Sequence, residues 1–97
     1  KIFLKEGMIV SNEPGYYEKN RFGIRIENLI YVKQSKKEMY FENFTMAPID
    51  KDLIIRENLN QNEKKWLNNY HRNVYNNLKG SMNEIESLEL KKACSAI

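Results

Sequence analysis

The chain has 97 residues, so it can hold one modest hydrophobic core, and a single folded unit is expected. Hydrophobic residues make up 41% of the chain and charged residues 30%, and the mean hydropathy is -0.72. The chain therefore has few apolar residues with which to form a stable core on its own. The net charge of +3 comes from basic and acidic residues that are spread along the chain, which argues against a nucleic-acid partner.

Three further features limit the class of protein. Cys94 is the only cysteine, which excludes an internal disulfide and favours a reducing, cytoplasmic compartment, with any targeting segment upstream of Lys1. No apolar run approaches the roughly 20 residues of a membrane span, so no membrane partner is expected. Because the sequence starts at Lys1 and moves at once into a patterned segment, we expect a piece of a longer protein.

The first half of the chain predicts neighbouring strands of a largely antiparallel sheet. Residues 8–13 suit a strand and stop at Pro14-Gly15, whereas residues 16–22 have the composition of a loop. A strong strand pattern runs from 23 to about 33, and residues 39–46 predict a further strand.

Residues 23–33 alternate between two faces, one apolar and expected to be buried, the other mixed. The first face holds Ile24, Ile26, Asn28, Ile30 and Val32, and the second holds Arg25, Glu27, Leu29 and Tyr31.

The second half predicts two helices after a charged connector at 50–58. Asn60 and Glu63 form a capping-box pattern, and apolar residues follow at helical spacing until Gly80, which closes the helix. That predicted face consists of Trp66, Leu67, Tyr70, Val74 and Leu78. Ser81 and Glu84 repeat the start signal, which predicts a second, weaker helix. Its apolar residues are Met82, Ile85, Leu88, Ala93 and Ile97.

These patterns together predict an α+β fold of antiparallel strands followed by one or two helices. Residues 1–80 are predicted to form one domain part and residues 81–97 a helical C-terminal extension. His71 lies inside the first helix with no second ligand at metal-binding spacing, so a packed or solvated histidine is expected there.

Glu13 and Glu27 are the residues that the strand pattern explains least. One interpretation pairs Glu27 with Arg25 on the same strand face and leaves Glu13 as a solvated strand-end carboxylate. The alternative rests on position, because Pro14-Gly15 fixes Glu13 where a strand ends and a hairpin could bring Glu27 beside it. Two such carboxylates would repel each other unless divalent cations lay between them, and bridging carboxylates are typical of dinuclear centres.

Four segments occur in one order: EGMIVSNEPGYY, FGIRIEN, FENFTMAPID and WLNNYH. They resemble the C-terminal part of the catalytic domain of the Xaa-Pro aminopeptidases, the cytosolic aminopeptidase P type of the pita-bread metallopeptidases. The resemblance covers residues 1 to about 80 and does not extend into the tail.

The resemblance implies two divalent metal ions, usually manganese, held by two aspartates, a histidine and two glutamates. Glu13 in NEPG and Glu27 in GIRIEN match the glutamates, whereas the other ligands would come from sequence upstream of Lys1. Arg25 would orient Glu27. The resemblance assigns no catalytic residue in this chain apart from this supporting role of Arg25, and the isolated chain is expected to be inactive.

The activity that the resemblance implies is release of the N-terminal residue from peptides with proline in second position. A hydroxide held by the two metal ions would attack the peptide carbonyl before proline. The implied partners are those peptides, the rest of the catalytic domain and a second copy in a homodimer.

Three alternatives remain open. An Xaa-Pro dipeptidase shares the EPG and G-x-R-I-E patterns, although FTMAPID and WLNNYH favour the aminopeptidase. A non-catalytic pita-bread domain that binds peptides or proteins would typically have lost the ligands that Glu13 and Glu27 retain. A small stand-alone interaction domain is compatible with the short length.

Overall fold

The computed structural model describes all 97 residues and contains five β-strands followed by two α-helices. The α+β arrangement of antiparallel strands and helices is therefore confirmed. The strands lie in Lys1–Thr45 and the helices in Met46–Ile97, which form two compact units. Neither helix has the length and apolar character needed to cross a membrane. The predicted boundary at residue 80 stays a prediction.

The strand unit contains a three-stranded sheet and a two-stranded ribbon. The strands are β1 (Ile9–Asn12), β2 (Gly15–Glu18), β3 (Phe22–Arg25), β4 (Asn28–Gln34) and β5 (Met39–Asn43). The sheet has the order β1-β4-β5, and β2 pairs with β3, with every pairing antiparallel.

Three of the strand predictions in this unit were wrong. The expected loop at 16–22 is instead the ribbon of β2 and β3, because its aromatic residues suit a strand and Asn20, at φ 60°, supplies the turn. The expected single strand at 23–33 is divided into β3 and β4 by Ile26 and Glu27. The third strand ends at Asn43 rather than at residue 46.

The expected burial of the apolar strand face was also largely wrong within this chain. Val32 is buried at 2% exposure, whereas Ile24 and Ile26 are 42% and 47% exposed. No other residue of the strand unit is fully buried. Hydrogen bonds between strands, rather than a packed core, therefore give this unit most of its internal order.

The helical unit contains α1 (Gln61–Leu78) and α2 (Glu84–Ala93). The predicted capping box of Asn60 and Glu63 is confirmed, with both reciprocal hydrogen bonds at 2.9 Å. The predicted start of the second helix was two residues too early, because Asn83 and Glu86 form the capping box. Ser81 instead ends a short 3₁₀ turn, Lys79–Ser81, so α1 ends at Leu78 without a glycine cap.

The core of the helical unit is small and comes mainly from α1. Tyr70, Val74 and Leu90 are buried together, and Leu67 is buried nearby in sequence, which confirms three residues of the predicted α1 face. Trp66 stacks on Tyr70 with ring centroids 5.5 Å apart but stays 58% exposed. Of the apolar residues predicted for the second helix, Ile85 and Leu88 are exposed, whereas Met82 packs against the core from a position before α2.

His71 was expected to be either packed or solvated, and it is packed and fully buried. Its Nε2 accepts a hydrogen bond from the backbone N–H of Ile49 at 3.0 Å, and Tyr70 donates from its hydroxyl to the carbonyl of Ala47 at 2.6 Å. These bonds fix the segment before α1 against the helix. Burial, and to a lesser extent the charge of Lys51, lowers the pKa of His71 below its ordinary value.

Lowering the pH should weaken the hydrogen bond that holds the Ile49 segment to His71. The folded-state pKa of His71 is lowered, so its contribution to stability is complete above about pH 6.5 and is lost as pH falls through the folded-state value. We expect hydrogen exchange of the Ile49 amide, corrected for its intrinsic pH dependence, to accelerate between about pH 7.5 and about pH 5.5. His71→Gln keeps a hydrogen-bond acceptor without a titration, and should abolish this change. Equal acceleration in both proteins would contradict the assignment.

Candidate metal centre

Glu13 and Glu27 occupy the two points where the three-stranded sheet gives way to the ribbon. Glu13 lies between β1 and β2, and Glu27 lies between β3 and β4. Each interruption is two residues long. The two predicted ligands are therefore at equivalent positions on neighbouring segments of the same hairpin.

The strand register sets these glutamates opposite each other. In the β1–β4 pairing, Asn12 faces Asn28, and in the β2–β3 pairing, Gly15 faces Arg25. The two residue numbers add to 40 in every pair of both ladders, so the register does not slip across the interruption. Carried through the gap, the same register pairs Glu13 with Glu27.

Pro14 explains why the ladder is interrupted although the register continues. The N–H of Ile26 donates to the carbonyl of Pro14 at 3.1 Å, but proline has no N–H to return the second bond. Because hydrogen-bonded and non-hydrogen-bonded pairs alternate, Glu13 and Glu27 form a non-hydrogen-bonded pair. In such pairs the Cα atoms are about 4.5 Å apart and both side chains project from the same face.

Arg25 neutralises this pair only weakly. Its Nε lies 3.7 Å from a carboxylate oxygen of Glu27, and both side chains are about half exposed. An exposed ion pair of this kind contributes at most about 1 kcal/mol. No salt bridge reaches Glu13. The two carboxylates and one guanidinium therefore leave a net negative site.

Tyr17 lies beside the candidate site, and the sequence patterns missed it. It faces Gly23 in the β2–β3 register and lies on the same face as Arg25 and the glutamates. A Cβ at Gly23 would lie 2.5 Å from Tyr17 Cδ1, and one at Gly15 would lie 2.6 Å from the tyrosine hydroxyl oxygen. The two glycines therefore leave room for the ring, whose hydroxyl extends along the ribbon towards Glu13. The feature of the sequence that could have indicated this position is the Gly15-x-Tyr17 spacing, with Gly23 on the facing strand.

The donor set fits a divalent cation but is incomplete. Opposed carboxylates supply only oxygen ligands, which suit hard or borderline ions such as manganese or magnesium. Like charges directly opposite each other destabilise a sheet, and a bound cation would remove that repulsion. No group of three or more His, Cys, Asp or Glu side chains in this chain could hold a metal. The chain can thus contribute two ligands to a centre that needs others.

Family comparisons agree with this geometry. Residues 1–34 match metallopeptidase family M24, and residues 37–97 match the family described as the C-terminal region of peptidase M24. The chain belongs to metallopeptidase family M24. Its α+β fold corresponds to the C-terminal part of the pita-bread fold of this family, as the resemblance implied.

Individual relatives carry related names. A probable Xaa-Pro aminopeptidase P from Laccaria bicolor is 42% identical over 106 aligned residues, covering 97% of this chain and 16% of that protein. A protein of the same description from Coprinopsis cinerea is 49% identical over 80 residues, covering 74% of this chain and 13% of that protein.

A solved structure of X-prolyl aminopeptidase from Caenorhabditis elegans is also similar, and that protein is described as a cytosolic enzyme with a dinuclear active site. It is 30% identical, with a TM-score of 0.80, over 97% of this chain and 17% of that one. The M24 chain spans less than a fifth of the length of each of these three relatives.

The position of the Tyr17 ring next to Gly23 can be tested by a double-mutant cycle that combines Gly23→Ala with Tyr17→Ala. Because the added methyl would meet the ring, we expect Gly23→Ala to lower the free energy of unfolding by about 1 kcal/mol. In a Tyr17→Ala background the same change should stabilise by about 0.4–1 kcal/mol, since it only restricts the unfolded chain.

Gly80→Ala is the matched control, because nothing lies within 4 Å of a Cβ there. Its effect should be the same in both backgrounds. Additive effects of Gly23→Ala and Tyr17→Ala in urea unfolding would show that the ring does not occupy this position.

Proposed function

We propose that this chain is the C-terminal part of the catalytic domain of an Xaa-Pro aminopeptidase and that Glu13 and Glu27 are two ligands of its dinuclear metal centre. The observation that carries the proposal is the continuous register that sets these carboxylates opposite each other on one face. The names of the relatives and the dinuclear site of the Caenorhabditis elegans enzyme support it.

Each residue of the site has a distinct role in this proposal. Glu13 and Glu27 hold the two ions, for which manganese is the proposed metal, and bound ions supply Lewis acidity and activate water at neutral pH. Arg25, 3.7 Å from Glu27, orients that carboxylate and offsets part of the negative charge. Tyr17 forms a wall beside the carboxylates against which a substrate can be positioned.

The proposed partners complete the site. The remaining ligands, two aspartates and a histidine, come from the rest of the catalytic domain, which also covers the exposed apolar strand faces. The substrates are peptides with proline in second position, and the protein acts as a cytoplasmic homodimer. Residues 81–97 form a C-terminal extension in this proposal.

Loss of either glutamate should impair metal binding. In the full-length protein that carries this sequence, we expect Glu13→Gln and Glu27→Gln each to reduce the manganese bound per protein, measured by equilibrium dialysis. Cleavage of a peptide with penultimate proline should fall by more than about 100-fold, because even the outer partners of metal ligands contribute about 10–100-fold. Glu38→Gln, at the turn between β4 and β5, is the control and should leave both measurements unchanged.

The same assay separates the alternatives. Cleavage of an Xaa-Pro dipeptide in preference to longer peptides would indicate a dipeptidase, and binding without cleavage would indicate a non-catalytic domain. Unchanged manganese binding in both glutamate variants would rule out the proposed centre.

Replacement of Arg25 should separate positioning from ligation. We expect Arg25→Met to lower kcat/KM about tenfold while the number of bound ions stays the same, because the guanidinium contacts Glu27 rather than the ions. Arg25→Lys keeps the charge but not the planar donor set. Its kcat/KM should lie between that of the unaltered protein and that of Arg25→Met. Loss of an ion from Arg25→Met would contradict this role.

A further inference from the structure

The two residues after Glu27 are held by an unusually dense set of hydrogen bonds from the end of β5. The Nδ2 of Asn28 donates to Oδ1 of Asn43 at 2.9 Å, and the N–H of Leu29 donates to Oγ1 of Thr45 at 2.7 Å. The carbonyl of Leu29 accepts from the N–H groups of Phe44 and Thr45 at 2.8 and 3.2 Å.

Asn43 also closes its own end of this network. Its Nδ2 donates to the carbonyl of Thr45, so one side chain links Asn28 to the backbone beyond β5. The two side-chain amides are partly buried. Leaving such a group without a partner costs about 1–3 kcal/mol, so the network has a single favoured arrangement.

The residue before Glu27 is held from the other side. Ile26 donates to the carbonyl of Pro14, and Asn28 faces Asn12 in the β1–β4 register. Glu27 itself lies in the gap between β3 and β4. Its backbone is therefore fixed at both neighbours although it belongs to no strand.

The asparagine bridge lies on the sheet face opposite to Glu27. Successive residues of a strand point to opposite faces, so the side chain of Asn28 projects away from the carboxylate pair. Asn43 pairs with Ile30, which is on the same side as Asn28. The bridge can therefore affect Glu27 only through the backbone.

We propose that Asn43 and Thr45 are positioning residues that set the geometry of Glu27 and thereby the affinity of the metal centre, an inference that rests on the proposed function. Metal ligands need to be held within about 0.5 Å, and an irregular segment meets that requirement only when neighbouring hydrogen bonds fix it. The bonds from residues 43–45 supply this constraint.

The test measures manganese affinity of the full-length protein by equilibrium dialysis, together with the electron paramagnetic resonance spectrum of the bound ions. Asn43→Ala and Thr45→Val each remove one anchor, and we expect affinity to weaken about tenfold with an altered spectrum. Thr45→Ser retains the hydroxyl acceptor and should restore the affinity and the spectrum of the unaltered protein.

Ser35→Ala is the control for a purely structural effect. Ser35 hydrogen-bonds Glu38 and Lys37 at the opposite end of the same β4–β5 hairpin. It should lower the unfolding midpoint without changing manganese affinity or the spectrum.

The outcomes distinguish this inference from the proposed function. If Glu27→Gln weakens manganese binding but Asn43→Ala and Thr45→Val do not, the positioning role is wrong and the metal centre stands. The positioning role is also wrong if Ser35→Ala weakens manganese affinity as much as Asn43→Ala and Thr45→Val do. If Glu27→Gln itself leaves binding unchanged, the proposed centre fails.

Discussion

The direct opposition of two carboxylates across one hairpin is the constraint on which the candidate site of this M24 chain depends. Glu13 and Glu27 face each other in a pair without backbone hydrogen bonds, the geometry that brings side chains closest. Like charges in that position destabilise a sheet, and the half-exposed Arg25 offsets little of the cost. The pair therefore adds nothing to the stability of the sheet by itself, whereas a cation between the carboxylates, as proposed, would offset their repulsion.

Pro14 explains how the strands can be interrupted beside the glutamates and still keep their register. Its missing N–H removes one ladder bond beside the glutamates, while its carbonyl still accepts from Ile26 and keeps the register. The strand is therefore interrupted without slipping. On the ribbon side, Gly15 and Gly23 leave space for Tyr17 on the face that carries the carboxylates. Backbone features thus position both the charged and the aromatic groups of the site.

Local patterns predicted much of this fold, but not its interruptions. The alternation around β4 and the Asn60 capping box are encoded by neighbouring residues, so the sequence alone was sufficient. The break at Ile26 and Glu27 depends on Pro14, which lies in the facing gap between β1 and β2, and the position of Tyr17 depends on glycines next to its ring. The start of α2 was ambiguous because Ser81 and Asn83 both precede a glutamate by three residues. The sequence singled out Glu13 and Glu27 as candidate ligands, which stays a prediction, whereas their direct opposition was visible only in the strand register.

The two units of the chain gain their order from different interactions, and this affects how the site can be disturbed. The helical unit packs Tyr70, Val74 and Leu90 into a core, so its order depends on apolar burial. In the strand unit only Val32 is buried, so the order around Glu27 comes from directional hydrogen bonds. Directional bonds specify position more finely than apolar contacts but tolerate less displacement. The carboxylate geometry is accordingly controlled by a few polar residues around Glu27, and not by the hydrophobic content of the chain.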